Sequence, residues 1–195
     1  SAALSLVDGG SNRMMSGAGH SLHGVLLVID PPVGAVRSAH FAPCGVLLRG
    51  EPGIGQRHCA LALLDRGHAL VADDAPLFTR HEAGYLLGRC PASIQDRMEV
   101  RGLGVINVRE LLGADRLLRE HRLDVMIELS QHDKSDASLE TASLRRLEGD
   151  WRCERIFDVS VPVLTHRSQS ASMLALLIET AVRDLQVAKN SFMSF

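Results

Sequence analysis

Between an apolar stretch, Gly45-Val46-Leu47-Leu48, and a run carrying Cys59, Leu61, Leu63 and Leu64 stands the octapeptide Gly50-Glu51-Pro52-Gly53-Ile54-Gly55-Gln56-Arg57. Its two outer glycines have the spacing of the phosphate-binding loop G-x-x-x-x-G-K-[ST], and its context is the strand–loop–helix that such a loop needs. The lysine position holds Gln56 and the hydroxyl position holds Arg57. In the intact motif the lysine supplies a point charge to the β- and γ-phosphates, and the hydroxyl holds Mg²⁺. Backbone N–H groups and a helix N-terminus still favour an anion here. The two side chains that make such a loop a kinase or ATPase are missing. Pro52 removes one further N–H from the anion nest.

A chain of 195 residues is expected to form one domain large enough to bury a real core. Hydrophobic residues make up 46% and charged residues 23%, an ordinary globular balance. The net charge of −2 carries no electrostatic footprint for nucleic acid. No apolar run reaches the roughly 18 residues of a membrane span. Cys44, Cys59, Cys90 and Cys153 form no C-x-x-C pair, so they read as reduced, buried thiols of a cytoplasmic protein. The nine histidines are scattered and read mostly as surface or structural groups. Residues 1–22 read as a flexible leader and 23–195 as the domain.

Along the domain, strands are expected at His23–Ile29, Val46–Leu48, His68–Ala72, Leu123–Leu129 and Ile156–Val163. Leu77–Arg80 and Tyr85–Gly88 read as a hairpin. Helices are expected at Arg57–Asp65, around Val108–Leu112, and at Ser172–Val187, where Leu174, Leu177, Ile178, Ala181, Val182 and Leu185 recur at three- to four-residue spacing. Pro31–Pro43 has no period and reads as a loop, and Ser130–Ser138 as an exposed polar stretch. Met98–Leu112 places two glycines beside an acid and a base, the composition of a tight functional loop.

Four blocks share one pattern. They are H-G-V-L at 23–26, G-E-P-G-I-G-Q-R at 50–57, R-G-H-A-L-V-A-D-D at 66–74 and E-V-R-G-L-G-V-I-N-V at 99–108. Together they resemble the catalytic domain of bacterial HPr kinase/phosphorylase, over about His23 to Val187. Phe157-Asp158-Val159-Ser160-Val161-Pro162 resembles a late strand of that family.

The resemblance implies an α/β P-loop fold of the HPr kinase type, a mixed sheet flanked by helices. It implies Mg²⁺- and ATP-dependent phosphorylation of a serine in the HPr phosphocarrier of the sugar phosphotransferase system, and phosphate-dependent removal of that phosphate. By resemblance, Asp74 is the acid that takes the serine proton and returns one in the reverse reaction. Adjacent like charges such as Asp73-Asp74 suit that work, because they ease protonation of one partner. Glu99 corresponds to a Mg²⁺ ligand, His23 and Arg146 to catalytic residues, Gly50 to Arg57 to the nucleotide site, and 98–107 to the segment used in both directions. The expected partner is an HPr-like carrier, with neither nucleic acid nor membrane. Self-association, as hexamers in the family, is also implied. A chain without the amino-terminal domain of many members, and with a short C-terminal extension, is expected.

Several readings stay open at this level. Asp73-Asp74 could be a solvated turn. Arg101 pairs with Glu99 or contacts substrate. Arg57 grips phosphate as a fork or is an exposed helix-start residue. The late family loop, tied to dephosphorylation, is here Arg167 to Met173, with Ser172 where the family has an arginine. The protein is then either an impaired kinase/phosphorylase or a degenerate homologue acting as a binding or regulatory module.

Overall fold

The computed structural model describes residues 19–31, 41–131 and 150–192. The core is a six-stranded mixed sheet in the order β11-β12-β10-β3-β2-β4. Its strands are β2 (Val25–Ile29), β3 (Cys44–Gly50), β4 (Ala69–Ala72), β10 (Val125–Ser130), β11 (Asp150–Ile156) and β12 (Val159–Arg167). β3, β10 and β12 run parallel, whereas β2 and β11 run against their neighbours. A second sheet, wholly antiparallel, holds β1 (His20–Ser21), β5 (Leu77–Arg80), β6 (Leu86–Arg89) and β9 (Glu120–Leu123). β7 (Arg97–Val100) and β8 (Gly104–Asn107) form a separate hairpin.

The period-two alternation of the strands sorts the core into two layers. On one face Val25, Leu27, Val46, Leu48, Val125 and Ile127 pack against helices α1 (Gln56–Asp65) and α3 (Ala171–Phe192). On the other, Leu26, Val28, Leu47, Met126 and Val163 meet Phe78, Leu86 and Leu123 of the second sheet. α1 buries Gln56, Cys59, Ala60, Leu63 and Leu64, one stripe of a 3.6-residue helix. α3 buries Leu174, Ala175, Ile178 and Val182, and leaves Leu177, Ala181 and Leu185 half-buried. The short helix α2 (Val108–Leu112) starts where the Asn107 side chain accepts the N–H groups of Arg109 and Glu110.

Two expected strands are in fact two strands each. The run Leu123–Leu129 breaks at Asp124, so that Leu123 ends β9 in one sheet and Val125 starts β10 in the other. Asp124 holds the switch: its Oδ2 accepts the Gly45 N–H at 2.9 Å, and its own N–H donates to the Gly45 carbonyl at 2.9 Å. The run Ile156–Val163 breaks at Phe157 and Asp158, which take φ 45° and 63° and turn β11 back into β12. Two successive positive-φ residues make the two-residue hairpin turn whose twist suits antiparallel strands. The expected strand His23–Ile29 begins at Val25, and the helix Ser172–Val187 extends to Ala171–Phe192. β1, β9 and β11 had no clear apolar period. Most of Pro31–Pro43 and Ser130–Ser138 lies outside the described residues.

Cys44 and Cys59 are buried, and burial pushes both thiols up to about 12. Cys90 is half-buried and pushed up to about 11, whereas Cys153 is exposed, against the expectation of buried thiols. Among the described residues no helix is long and apolar enough to cross a membrane.

α3 is tied to the end of α1 and the start of β4 by a polar cluster around buried Glu179 and His68. Glu179 accepts from Arg66 Nε at 2.7 Å and Nη2 at 2.6 Å, and lies 2.9 Å from His68 Nε2. His68 Nδ1 accepts the Asp30 N–H at 3.1 Å, so Nε2 carries the proton given to Glu179. The Arg66 hydrogen bonds, which outweigh burial, hold the Glu179 carboxyl below its ordinary 4.5. A carboxylate depressed in the folded state adds stability that is complete above the unfolded value and is lost as pH falls through the folded one. Acid unfolding of the Glu179→Gln variant is therefore expected to show a shallower loss of stability below about pH 4.5 than wild type. Chemical denaturation at stepped pH measures it.

Candidate functional site

Topology brings the family blocks to one edge of the six-stranded sheet. β3 ends at Gly50, and β10 and β12 end at Ser130 and Arg167 on the same side. β2 is antiparallel to β3 and to β4. Its start, preceded by His23, and the end of β4, followed by Asp73-Asp74, therefore reach that edge too. Ligands of open α/β sheets bind outside the carboxyl ends of the parallel strands.

The loop after β3 is backbone-built. Gly50 and Gly55 take φ 156° and 107°, and a Cβ on Gly50 would lie 2.6 Å from the Leu129 carbonyl oxygen. Only glycine suits both positions. Gly55 caps α1 without any side-chain hydrogen bond, so the first-turn N–H groups have no side-chain acceptor. Glu51 and Pro52 are exposed, Gly53 turns at φ 84°, and Ile54 is buried beneath the loop. Gln56 does not face outward: its Nε2 donates to the Gly50 carbonyl at 2.7 Å and the residue is 8% exposed. It closes the loop on itself where the motif's lysine would project a charge.

Arg57, the second residue of α1, is half-buried and faces the acids of the site. Its Nε lies 3.0 and 3.1 Å from Asp73 Oδ1 and Oδ2, Nη2 donates to Asp74 Oδ1 at 3.2 Å, and Nη1 lies 3.6 Å from Glu99 Oε2. Partial burial works against its charge, but the hydrogen bond to Asp73 and the three carboxylates outweigh it and hold the pKa above the ordinary arginine value. One guanidinium thus ties α1 to the end of β4 and to β7. Met98 and Val100 of β7 are buried, so alternation turns Glu99 outward to meet it.

Asp73 is buried, and its Oδ2 also accepts the Glu99 N–H at 2.9 Å. It is a structural acceptor, not a solvated turn residue. Asp74 takes φ 74° in a three-residue turn closed by Ala75 N–H to the Asp73 carbonyl at 3.0 Å. Its own carbonyl accepts the Gly24 N–H at 2.8 Å. That bond places His23, whose Nδ1 lies 3.3 Å from Asp74 Oδ1. His23 and Arg57 converge on the same oxygen. Asp74 Oδ2 has no protein partner among the described residues.

Arg101, at the tip of the β7–β8 hairpin, forms no ion pair with Glu99. It reaches over the loop instead: a Cβ on Gly53 would lie 3.2 Å from Arg101 Nη1. Arg146 lies outside the described residues. The late loop touches the glycine loop directly, with Ser168 Oγ donating to the Ile54 carbonyl at 2.7 Å and its N–H to the Ser130 carbonyl at 2.8 Å.

Sequence reasoning missed a second charged group. An open cleft of about 540 Å³ runs between His23, Arg49, Gly50, Glu51 and Glu128. Arg49 pairs with Glu154 at 2.9 Å, and Arg152 with Glu128 at 2.7 Å. The Glu154 carboxyl is held low chiefly by its hydrogen bonding to Arg49. The available signal was Glu128, one charge inside the apolar run Val125–Leu129.

The donor set does not fit Mg²⁺. The motif's hydroxyl is replaced by Arg57, both Asp73 oxygens already accept protein donors, and the guanidinium stands among all three acids. The loop likewise lacks the charge that holds a triphosphate. Arg57→Ala should leave Asp73 buried with one donor and lower stability by about 1–3 kcal/mol. A fall in the thermal midpoint checks this; an unchanged midpoint contradicts it.

Comparisons with known proteins identify relatives of the chain. The family model described as HPr Serine kinase C-terminal domain matches residues 19–195. HPr kinase/phosphorylase of Stenotrophomonas maltophilia strain K279a is 42% identical over 139 residues, covering 71% of this chain and 43% of that protein. HPr kinase/phosphorylase of Xylella fastidiosa strain M12 is 41% identical over the same length and shares. The chain spans less than half the length of these curated relatives. Among solved structures, the Hpr(Ser) kinase/phosphatase from Coxiella burnetii superposes with a TM-score of 0.71 at 30% identity, covering 87% of this chain and 98% of that one. A mixed sheet flanked by helices, a glycine loop at its carboxyl edge and a match across nearly all of the chain lead to one conclusion: this chain belongs to the HPr serine kinase C-terminal domain family.

Proposed function

We propose that this chain is an HPr kinase-type domain that keeps the serine-facing half of the family site and has lost most of the nucleotide-facing half. It would meet a seryl phosphocarrier of the HPr type and phosphorylate it slowly or not at all. The single observation that carries this reading is Gln56, neutral and turned back onto the Gly50 carbonyl at 2.7 Å. A developing charge on a transferring phosphoryl group is left without its point cation, a loss that costs about 10²–10³ in rate for one donor at comparable sites. His23 and Asp74 still stand together, 3.3 Å apart, with Asp74 Oδ2 open to accept a hydroxyl proton. Arg101, whose Nη1 stands beside Gly53, is a cation that can reach a phosphate on the loop. A second reading, a binding or regulatory module without turnover, is favoured by Arg57, which covers the Asp74 oxygen that His23 also approaches.

Calorimetry is expected to give weak ATP binding that Mg²⁺ does not strengthen. Low-micromolar binding sharpened by Mg²⁺ would overturn the first reading. Restoring the loop with Gln56→Lys and Arg57→Ser together is expected to raise HPr phosphorylation by about 100-fold or more. A double variant that folds and binds ATP yet transfers nothing would place the defect outside the loop and favour the second reading.

The reverse reaction is expected to be more damaged than the forward one, because the late loop is altered as well. Ser168 contacts Ile54, so losses in the two loops are coupled and their costs are not expected to add. Release of pyrophosphate from seryl-phosphorylated HPr and phosphate, at or above the forward rate, would contradict this.

A further inference from the structure

We infer that the Arg57 guanidinium is a built-in cation that takes the place of the divalent ion, so that the acid cluster of Asp73, Asp74 and Glu99 does not bind Mg²⁺ or Mn²⁺. The inference rests on reading these acids as the family's cluster. It does not depend on which carrier the chain meets or on whether any phosphate is transferred.

Three features carry it. The guanidinium engages every acid of the cluster, at 3.0 Å to Asp73, 3.2 Å to Asp74 and 3.6 Å to Glu99. A metal bridging any two of these carboxylates would sit close to a fixed positive charge, and Mg²⁺ also demands a near-regular octahedron at about 2.0–2.1 Å. The most buried acid already accepts protein donors at both of its oxygens. Asp73 Oδ1 faces Arg57, and Oδ2 faces both Arg57 and the Glu99 N–H at 2.9 Å. Arg57 is also anchored at its root. It is the second residue of α1, and the residue before it is locked to the Gly50 carbonyl at 2.7 Å. The stem therefore leaves a helix whose start is fixed, and the head lies against a buried carboxylate.

Arginine suits this place better than lysine would. Its planar fork can face three carboxylates with separate nitrogens and keeps its charge at any working pH. Three carboxylates against one guanidinium would repel one another without it, so removing the side chain should expose a cluster ready for a hard cation.

The test uses Mn²⁺ as the probe, because it reports its own binding. The wild-type chain and Arg57→Ser are titrated with Mn²⁺ and followed by electron paramagnetic resonance of the free ion, beside thermal melts. Arg57→Ser is expected to bind Mn²⁺ at least tenfold more tightly than wild type, and to be stabilised by it where wild type is not. Adding Asp73→Asn and Glu99→Gln to Arg57→Ser should abolish the gain; a gain that survives them comes from elsewhere and overturns the inference. Equal or tighter binding by wild type also overturns it. Should Arg57→Ser fail to fold, the wild-type chain decides alone. Paramagnetic broadening of the Asp74 and Glu99 amide signals by Mn²⁺ refutes the built-in cation, and its absence supports it. A phosphotransfer assay does not enter, so the failure of this inference and that of the kinase reading are distinguishable.

Discussion

β3 is buried on both faces and paired on both edges, and the site hangs from it. Leu47 points into the second sheet while Val46 and Leu48 point into the helical layer, all fully buried. β2 and β10 saturate its backbone on either side. A one-residue slip would exchange the two apolar faces and break both ladders, so its register is strongly specified. Each fully buried Leu or Val contributes about 1.5–3 kcal/mol. That rigidity is transmitted to Gly50, the last residue of the strand, and from there to the glycine loop and the start of α1.

On that frame the chemistry of the loop has been rearranged rather than erased. An amide now satisfies the carbonyl of Gly50, and a guanidinium binds three acids from two other elements. Both substitutions turn outward-acting groups into internal ones. An isolated surface ion pair is worth about 0–1 kcal/mol. Arg57 differs because its main partner, Asp73, is buried and would be left short of donors without it. The same guanidinium also reaches Asp74 and Glu99.

Much of the architecture was legible from pattern. The glycine spacing, the strand before it and the helix after it located the loop, because a strand–loop–helix needs those residues locally. The hairpin Leu77–Arg80 with its partner, and the helix Val108–Leu112, stood where the sequence placed them. The boundaries at Asp124 and at Phe157-Asp158 were not legible. Each lies inside an apolar run, and what breaks the run is a tertiary hydrogen bond in one case and two positive-φ residues in the other. Arg49, Glu128, Arg152 and Glu154 went unread because they meet only when β10, β3, β12 and β11 stand side by side.

The sequence by itself determined the kinship, the place of the loop, and the absence of its lysine and hydroxyl, since these are matters of residue type and spacing. It left Arg57 between two roles, and the tertiary structure pairs its guanidinium with three acids. Side-chain direction depends on partners from distant segments: Asp73 is 16 residues away and Glu99 lies on a hairpin that reaches α1 only in the fold. Likewise, Gln56 can donate a hydrogen bond in any sequence, but only the closed turn at Gly50 decides that the acceptor is the loop itself. A one-dimensional pattern records which groups are present. Which of them satisfy one another, and so are no longer free to act on a ligand, is settled by packing.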